Sequence, residues 1–330
     1  MRGWQVCGLP GRVAAALALF VVVMLALPGF VGNYLLSVLV VFLFAAAIGQ
    51  AWNIMMGFAG QLSLGHALYL GLGAYLSGAL FQHFGVLPWV GMLAGVVVSG
   101  LAGAIIGVLS FRFGVTGVYF ALITIAFNEF TRILFDHLDW FGGSAGLFLP
   151  VAHVTHNDIL HLRGSPAMFY YLLLALCLAS LGLSRALLRR RTGFYWLASR
   201  EDQEGAQALG INIFRYKLAA IVLSAMLTSI AGTLMAFYDN NLYPDTVFTT
   251  ARSVELILGP FVGGLGTLFG PILGAFVLTV LGEAMTSVSA AIGVAGVKQW
   301  LYGAVLLLII VAQPSGLWPW LRARLGLEEG

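Results

Sequence analysis

Long apolar runs, broken by glycine, proline or charge, dominate the chain. They fall at residues 13–28, 34–57, 62–82, 87–110, 115–135, 168–188, 217–238, 252–264, 267–288 and 297–313. Several approach the roughly 20 residues needed to cross a hydrocarbon core of about 30 Å. The period-two alternation of a membrane barrel is absent, so the runs read as helices. The pattern predicts an all-α, polytopic transmembrane bundle of about 8–10 membrane segments, organised as one domain over residues 1–330. The run 252–264 is short for a crossing. Whether it crosses or re-enters stays open, and a half-helix paired with the next segment is one reading. Met1–Phe30 has the layout of a signal peptide, with Arg2 and Arg12 ahead of Ala14–Leu27. A further apolar run begins at Tyr34 and no small-x-small site precedes a soluble domain, so a retained first span is expected.

Composition agrees with the pattern. Only 9% of residues are charged and 60% are hydrophobic, whereas a soluble domain carries about a quarter charged residues. The net charge of +3 points to no nucleic acid; its distribution orients the helices. With the N-terminus in the cytoplasm, Arg2, Arg12, Arg112, Arg322 and Arg324 lie inside, together with the dense cluster Arg185, Arg189, Arg190, Arg191, Arg200, Arg215 and Lys217. Arg132, Arg163, Arg252 and Lys298 lie outside. That bias favours this orientation over its inverse. Two extramembrane stretches follow: an external loop over 136–166 and a basic cytoplasmic loop over 185–217. Cys7 and Cys177 lack metal spacing and read as inert.

Several local patterns carry chemistry or imitate it. In the basic loop, Ser199 to Gly210 reads as one short helix. Ser199 would cap its start with Asp202 at the third position, Glu201 and Asp202 would face the positive end of the dipole, and Gly210 would close it. Gly205, Ala206 and Ala208 would admit another surface closely. Docking and an ordinary membrane-surface connector both remain open on these residues. Gly57–Tyr75 holds five glycines before Ala74, with Gln61, Ser63 and His66 among them. This reads either as a broken helix lining a path or as close helix packing. Glu129 and Arg132 share a helix face and can pair. Glu255 and Glu283 are ionisable groups within spans, where a proton relay is one reading and a structural contact another. Gly142–Gly146 matches G-x-S-x-G, but that elbow needs a strand–turn–helix in an α/β sheet, so Ser144 is read as a false positive. His153, His156 and His161 with Asp158 fit no strong metal signature. No Walker G-x-x-x-x-G-K-[ST] pattern occurs; if ATP drives this protein, another subunit hydrolyses it.

Taken in order, five blocks resemble the permease subunits of the branched-chain amino acid ABC importer family, in its LivM-like half. They are Gly57-Phe-Ala-Gly-Gln-Leu-Ser-Leu-Gly-His-Ala, Gly117-Val-Tyr-Phe-Ala-Leu-Ile-Thr, Ala206-Gln-Ala-Leu-Gly-Ile-Asn-Ile-Phe-Arg-Tyr-Lys-Leu, Gly263-Gly-Leu-Gly-Thr-Leu-Phe-Gly-Pro-Ile-Leu-Gly and Pro314-Ser-Gly-Leu. The resemblance implies a multi-pass protein of the bacterial inner membrane with both termini cytoplasmic. It implies a second homologous permease, two ATP-binding subunits and an external substrate-binding protein as partners. This chain would bind no cofactor, metal or nucleic acid; ATP and magnesium would belong to the partner subunits. Arg200 to Ile213 would form the coupling helix, with Arg200, Glu201, Glu204, Gly205, Ala208, Gly210 and Arg215 at the ATPase contact. Gln61, Ser63, His66, Tyr69, Tyr119, Asn128 and Glu255 are the candidates for the translocation path.

The chain departs from that family in three places. Ala145 stands where the external Gly-Gly-Ser-x-Gly-Leu block commonly carries Asp, the stretch His153 to Arg163 is histidine-rich, and Pro260 interrupts an apolar run, bending the chain before Gly263-Gly264. These differences leave the solute open, since similar permeases carry urea, short amides or aromatic acids as well as leucine-like amino acids. A stand-alone secondary transporter using the glycine-rich segments as broken helices is the alternative, and a membrane-embedded enzyme at Ser144 a third.

Overall fold

A computed structural model describes residues 22–150, 157–292 and 297–324. The chain is a helical bundle. Among the described residues, six helices are long and apolar enough to cross a membrane. The long helices are α1 (Asn33–Asn53), α2 (His66–Phe84), α3 (Pro88–Arg112), α4 (Gly117–His137), α5 (Pro166–Leu188), α8 (Ile213–Asp239) and α11 (Gly270–Ile292), and all of these except α2 belong to the six. Shorter ones are α6 (Arg191–Glu201), α7 (Gln203–Ala208), α9 (Pro244–Val247), α10 (Thr250–Gly263), α12 (Val297–Ala312) and α13 (Leu317–Arg324). Two two-residue strands, β1 (Leu147–Phe148) and β2 (Asn241–Leu242), pair antiparallel with Leu147 opposite Leu242. Most of the run 13–28, with Arg2, Arg12, Cys7, His153 and His156, lies outside the described residues.

Helices α2, α3 and α8 form the centre of the bundle, and α3 shows why. On one face a small residue recurs every fourth position, Gly91, Gly95, Ser99, Gly103 and Gly107, and all are buried. On the other face Val90, Leu93, Val97, Leu101, Ile105 and Leu109 are exposed by 44–65%. A soluble helix buries its large side chains; this one turns them outward, as a helix in lipid does, and packs through small ones. The approach is backbone-close. A Cβ on Gly95 would lie 3.0 Å from Gly73 Cα, one on Gly73 2.2 Å from the Ser229 carbonyl oxygen, and one on Gly232 2.1 Å from the Leu70 carbonyl oxygen. Ser99 Oγ adds a bond to the Tyr69 carbonyl at 3.3 Å.

Two breaks interrupt the long helices. Helix α1 loosens into a π-turn at Ile54–Phe58, and irregular chain then runs to Gly65, so the span expected at 62–82 begins only at His66. The second break is the turn between α10 and α11. Helix α10 is 14 residues long, too short for a full crossing, and packs along α11. Pro260 does not end it. The helix runs on through the proline, Gly264 N–H donates to the Pro260 carbonyl at 2.9 Å, and the chain turns at Gly264 with φ +123°.

Packing this close leaves no room for added atoms. Gly232→Ala should lower the detergent melting temperature by the equivalent of about 1–3 kcal/mol, the cost of overpacking. Gly182→Ala, where a Cβ meets nothing within 4 Å, should leave it unchanged or raise it. Equal melting of the two variants would contradict the backbone contact.

Candidate functional site

The basic loop is ordered by its ends. Helix α5 carries Arg185 in its last turn, and Gly193 makes the following turn possible, since a Cβ there would sit 2.4 Å from Leu188 Cα. The single helix expected over Ser199–Gly210 is two helices. Ser199 is no cap: it is buried inside α6, and its Oγ donates to the Trp196 carbonyl at 2.9 Å. The break falls at Asp202, whose extended backbone starts α7 and whose carboxylate accepts from Gly205 N–H at 3.0 Å. A side chain able to cap the backbone favours a new helix start over helix interior. Gly210, at φ +82°, closes α7 as expected, and Asn212 caps α8 through Arg215 N–H at 3.1 Å. Along α7, Glu204 and Ala208 are exposed, as are the following Leu209, by 82%, and Gly210; Arg215 is exposed at the start of α8.

The stem beneath that exposed helix grips the broken end of α1. Trp196 is buried in a cluster with Ile54, Phe58, Ala59 and Ala220, and its ring N–H donates to the Tyr216 carbonyl at 2.7 Å. Arg200 turns inward. Its Nη1 donates to the Gly57 carbonyl at 2.5 Å, while Nη2 holds Glu201 Oε1 at 2.5 Å. A Cβ on Gly60 would lie 2.9 Å from Arg200 Cγ, and one on Gly266 2.6 Å from Arg200 Nη1. Asn53 then ties the first break to the second: its side-chain amide donates to the Thr267 carbonyl at 2.9 Å, and its oxygen accepts from Gly266 N–H at 2.9 Å. Gln50 donates to the Leu268 carbonyl at 2.7 Å. Gly316, from the Pro314-Ser-Gly-Leu block, stacks on Gly264, where a Cβ would sit 2.3 Å from its Cα. Four sequence blocks far apart in the chain thus meet at one end of the bundle.

From the first break a buried polar line runs inward. Gln61, Ser63, His66 and Tyr69 are all at most 3% exposed. Trp52 holds the loop through the Ser63 carbonyl at 3.0 Å, Leu64 N–H bonds Thr124 Oγ1 at 3.1 Å, and Ala67 N–H bonds Ser253 Oγ at 3.0 Å. His66 Nε2 meets Ser224 Oγ at 3.0 Å, and Ser224 Oγ donates to the Ala51 carbonyl at 2.6 Å. The serine has one hydrogen, already given to Ala51, so His66 is the donor and its Nδ1 is left bare. No protein partner reaches either polar atom of the Gln61 side chain, Ser63 Oγ, His66 Nδ1 or Tyr69 OH. Buried polar groups are usually paired, and this cluster is a concentrated exception.

The remaining candidates lie elsewhere. Asn128 is buried on α4 and donates to the Phe248 carbonyl, with its own oxygen unpaired. Glu129 and Arg132 form the expected pair at 2.8 Å, extended by Asp245 at 2.5 Å and Thr250 at 3.1 Å. Tyr119 is 74% exposed and is not brought to the polar line. Glu255 pairs with Arg252 at 2.8 Å and borders two clefts, of ≈ 470 and ≈ 1050 Å³, along α10. Glu283 accepts from Tyr34 OH across the larger one. Gly142–Gly146 lies on 3₁₀ turns, with no strand–turn–helix. His161 bonds Asp158 at 2.7 Å and holds that carboxylate below its ordinary range. No metal-binding group of acids, histidines and cysteines occurs among the described residues. Sequence reasoning missed Asn53, Trp196, Leu209 and Ser224; the polar Gln50 and Asn53 inside an apolar run were the available signal.

The model of the family described as branched-chain amino acid transport system / permease component matches residues 34–312. The chain is 29% identical over 304 residues to the high-affinity branched-chain amino acid transport system permease protein LivM of Salmonella typhimurium, covering 86% of this chain and 69% of that one; the Escherichia coli LivM matches equally. It is also 28% identical over 214 residues to the autoinducer 2 import system permease protein LsrC of an Enterobacter species, covering 64% of this chain and 59% of that one. No solved structure matches.

The His66–Ser224 contact is directly testable. Ser224→Ala removes both its bonds and should cost about 1 kcal/mol, read as a lower melting temperature in detergent. An unchanged melting temperature would show that the contact contributes nothing.

Proposed function

Because the chain belongs to the family of branched-chain amino acid transport system permease components, we propose that it is the membrane-spanning permease subunit of an ATP-driven ABC importer. It pairs with a second, homologous permease and works with two ATP-binding subunits on the cytoplasmic side and an external substrate-binding protein. Its solute is a branched-chain or other hydrophobic amino acid, or a related small molecule. The observation that carries this reading is α7: a short capped helix with Glu204, Ala208 and Leu209 exposed, held on a stem that touches both helix breaks. Burying Leu209, which is 82% exposed, against another surface would remove apolar area from water.

In this reading α7 seats in an ATP-binding subunit, both termini are cytoplasmic, and the basic loop 185–217 lies inside, as the charge bias favours. The solute passes at the interface with the partner permease. Gln61, Ser63 and His66, with unpaired polar atoms at the first break, are the groups best suited to face it. Broken helices supply free backbone as well as side chains at membrane depth. The cargoes named for the relatives differ, a branched-chain amino acid in one and autoinducer 2 in another, so the shared scaffold does not fix the solute.

Purification of the tagged chain from its native membrane in mild detergent should bring a second permease and ATP-binding subunits with it; a chain that stays alone after cross-linking in the intact membrane would favour the stand-alone transporter. Within the complex, Gly210→Pro cannot adopt the φ of +82°, and Glu204→Arg reverses the charge of the exposed face. Each should abolish uptake while leaving membrane insertion intact. Normal uptake by both would sink the coupling role of α7.

A further inference from the structure

We propose that Arg200 is a positioning residue that joins the coupling segment to both helix breaks, and does not serve as a contact for the ATP-binding subunit. The inference rests on the permease reading above. It follows from where the guanidinium lies. Arg200 sits at the C-terminal end of α6, just before α7, yet its side chain is only 28% exposed and points back into the bundle. One nitrogen bonds the Gly57 carbonyl at 2.5 Å. That carbonyl belongs to the π-turn where α1 loosens, and the turn leaves it open to a donor from outside the helix.

The same nitrogen lies against the second break. Gly266 is at φ +72°, and a Cβ there would be 2.6 Å from Arg200 Nη1 and 2.9 Å from the Gly57 carbonyl oxygen. Gly60, at φ +69°, packs on the Arg200 stem and Gly266, at φ +72°, on its tip, and both conformations favour glycine. Asn53 bonds both the carbonyl of Thr267 and the N–H of Gly266, so the two breaks are tied into one unit. Arg200 is the polar link from that unit to the segment ending in α7. Trp196 supplies an apolar grip one turn earlier. A displacement of α7 thereby reaches the start of the polar line at Gln61 on one side and α10, with Glu255, on the other.

The guanidinium suits this task. Its planar fork holds Glu201 with Nε and Nη2 at 3.1 and 2.5 Å while Nη1 stays on Gly57. A lysine gathers its three donors on one nitrogen and cannot span both in that fork geometry.

The test uses the whole complex, purified with its ATP-binding subunits and reconstituted in lipid vesicles with the binding protein. Uptake of leucine and ATP hydrolysis are measured on the same vesicles. Arg200→Ala should lower uptake about tenfold, a size typical of coupling between sites, while the subunits stay together and hydrolysis stays within about twofold of the parent. Arg200→Lys keeps one donor for Gly57 and should recover part of the uptake per ATP; it also serves if the alanine variant fails to insert. Wild-type uptake per ATP in Arg200→Ala would overturn the proposal. So would loss of the ATP-binding subunits from that variant, which would make Arg200 a docking residue, or a lysine variant no better than alanine. Absence of ATP-binding subunits from the unaltered complex would instead overturn the importer reading, and is seen before any variant is made.

Discussion

Backbone that leaves a helix inside a membrane protein has to find its hydrogen bonds elsewhere, and Asn53 is where this chain meets that demand. Its amide serves an N–H and a carbonyl of the Gly266–Thr267 turn at once. Gln50 and Arg200 serve two more carbonyls nearby. In lipid each unsatisfied group would cost several kcal/mol, so the two breaks are stable only because they face each other. The glycines at 57 and 266 follow from this. The two turns have to approach closely enough for one asparagine to bridge them, and a Cβ on Gly57 would lie 1.9 Å from Asn53 Oδ1.

That arrangement also explains how an otherwise apolar bundle can hold a row of bare polar groups. Gln61, Ser63 and His66 lie just beyond the break, on chain whose backbone is anchored by Trp52, Thr124 and Ser253. With the backbone held, the side chains need not be paired to fix the structure. Unpaired buried groups are a cost that packing alone does not explain, and they are the natural place for a passing polar solute or water to bond.

The fold class, most helix positions, the Glu129–Arg132 pair and the closing role of Gly210 could be read from the sequence, because each depends on local pattern: apolar run length, spacing of three, a glycine after a helix. Other features could not. Whether Ser199 or Asp202 capped a helix turned on Trp196, whose burial against Ile54 and Phe58 draws α6 through Ser199 and carries the break to Asp202. That α10 continues through Pro260, despite the missing N–H, goes with its tight packing on α11, where a Cβ on Gly274 would lie 1.8 Å from the Gly259 carbonyl oxygen. Arg200 was expected at the ATPase contact; only the meeting of residues 57, 200 and 266 shows it turned inward.

The small-residue face of α3 sets a limit on what this scaffold can vary. Gly91, Gly95, Gly103 and Gly107 have no side chain to exchange for another, since every replacement adds atoms where neighbouring backbone or side chains already stand. The packed faces of the central helices are therefore closed to gradual change. What can vary is carried on the other faces, where α3 turns Val90, Leu93 and Leu101 outward, and the small-residue seam stays as the frame they stand on.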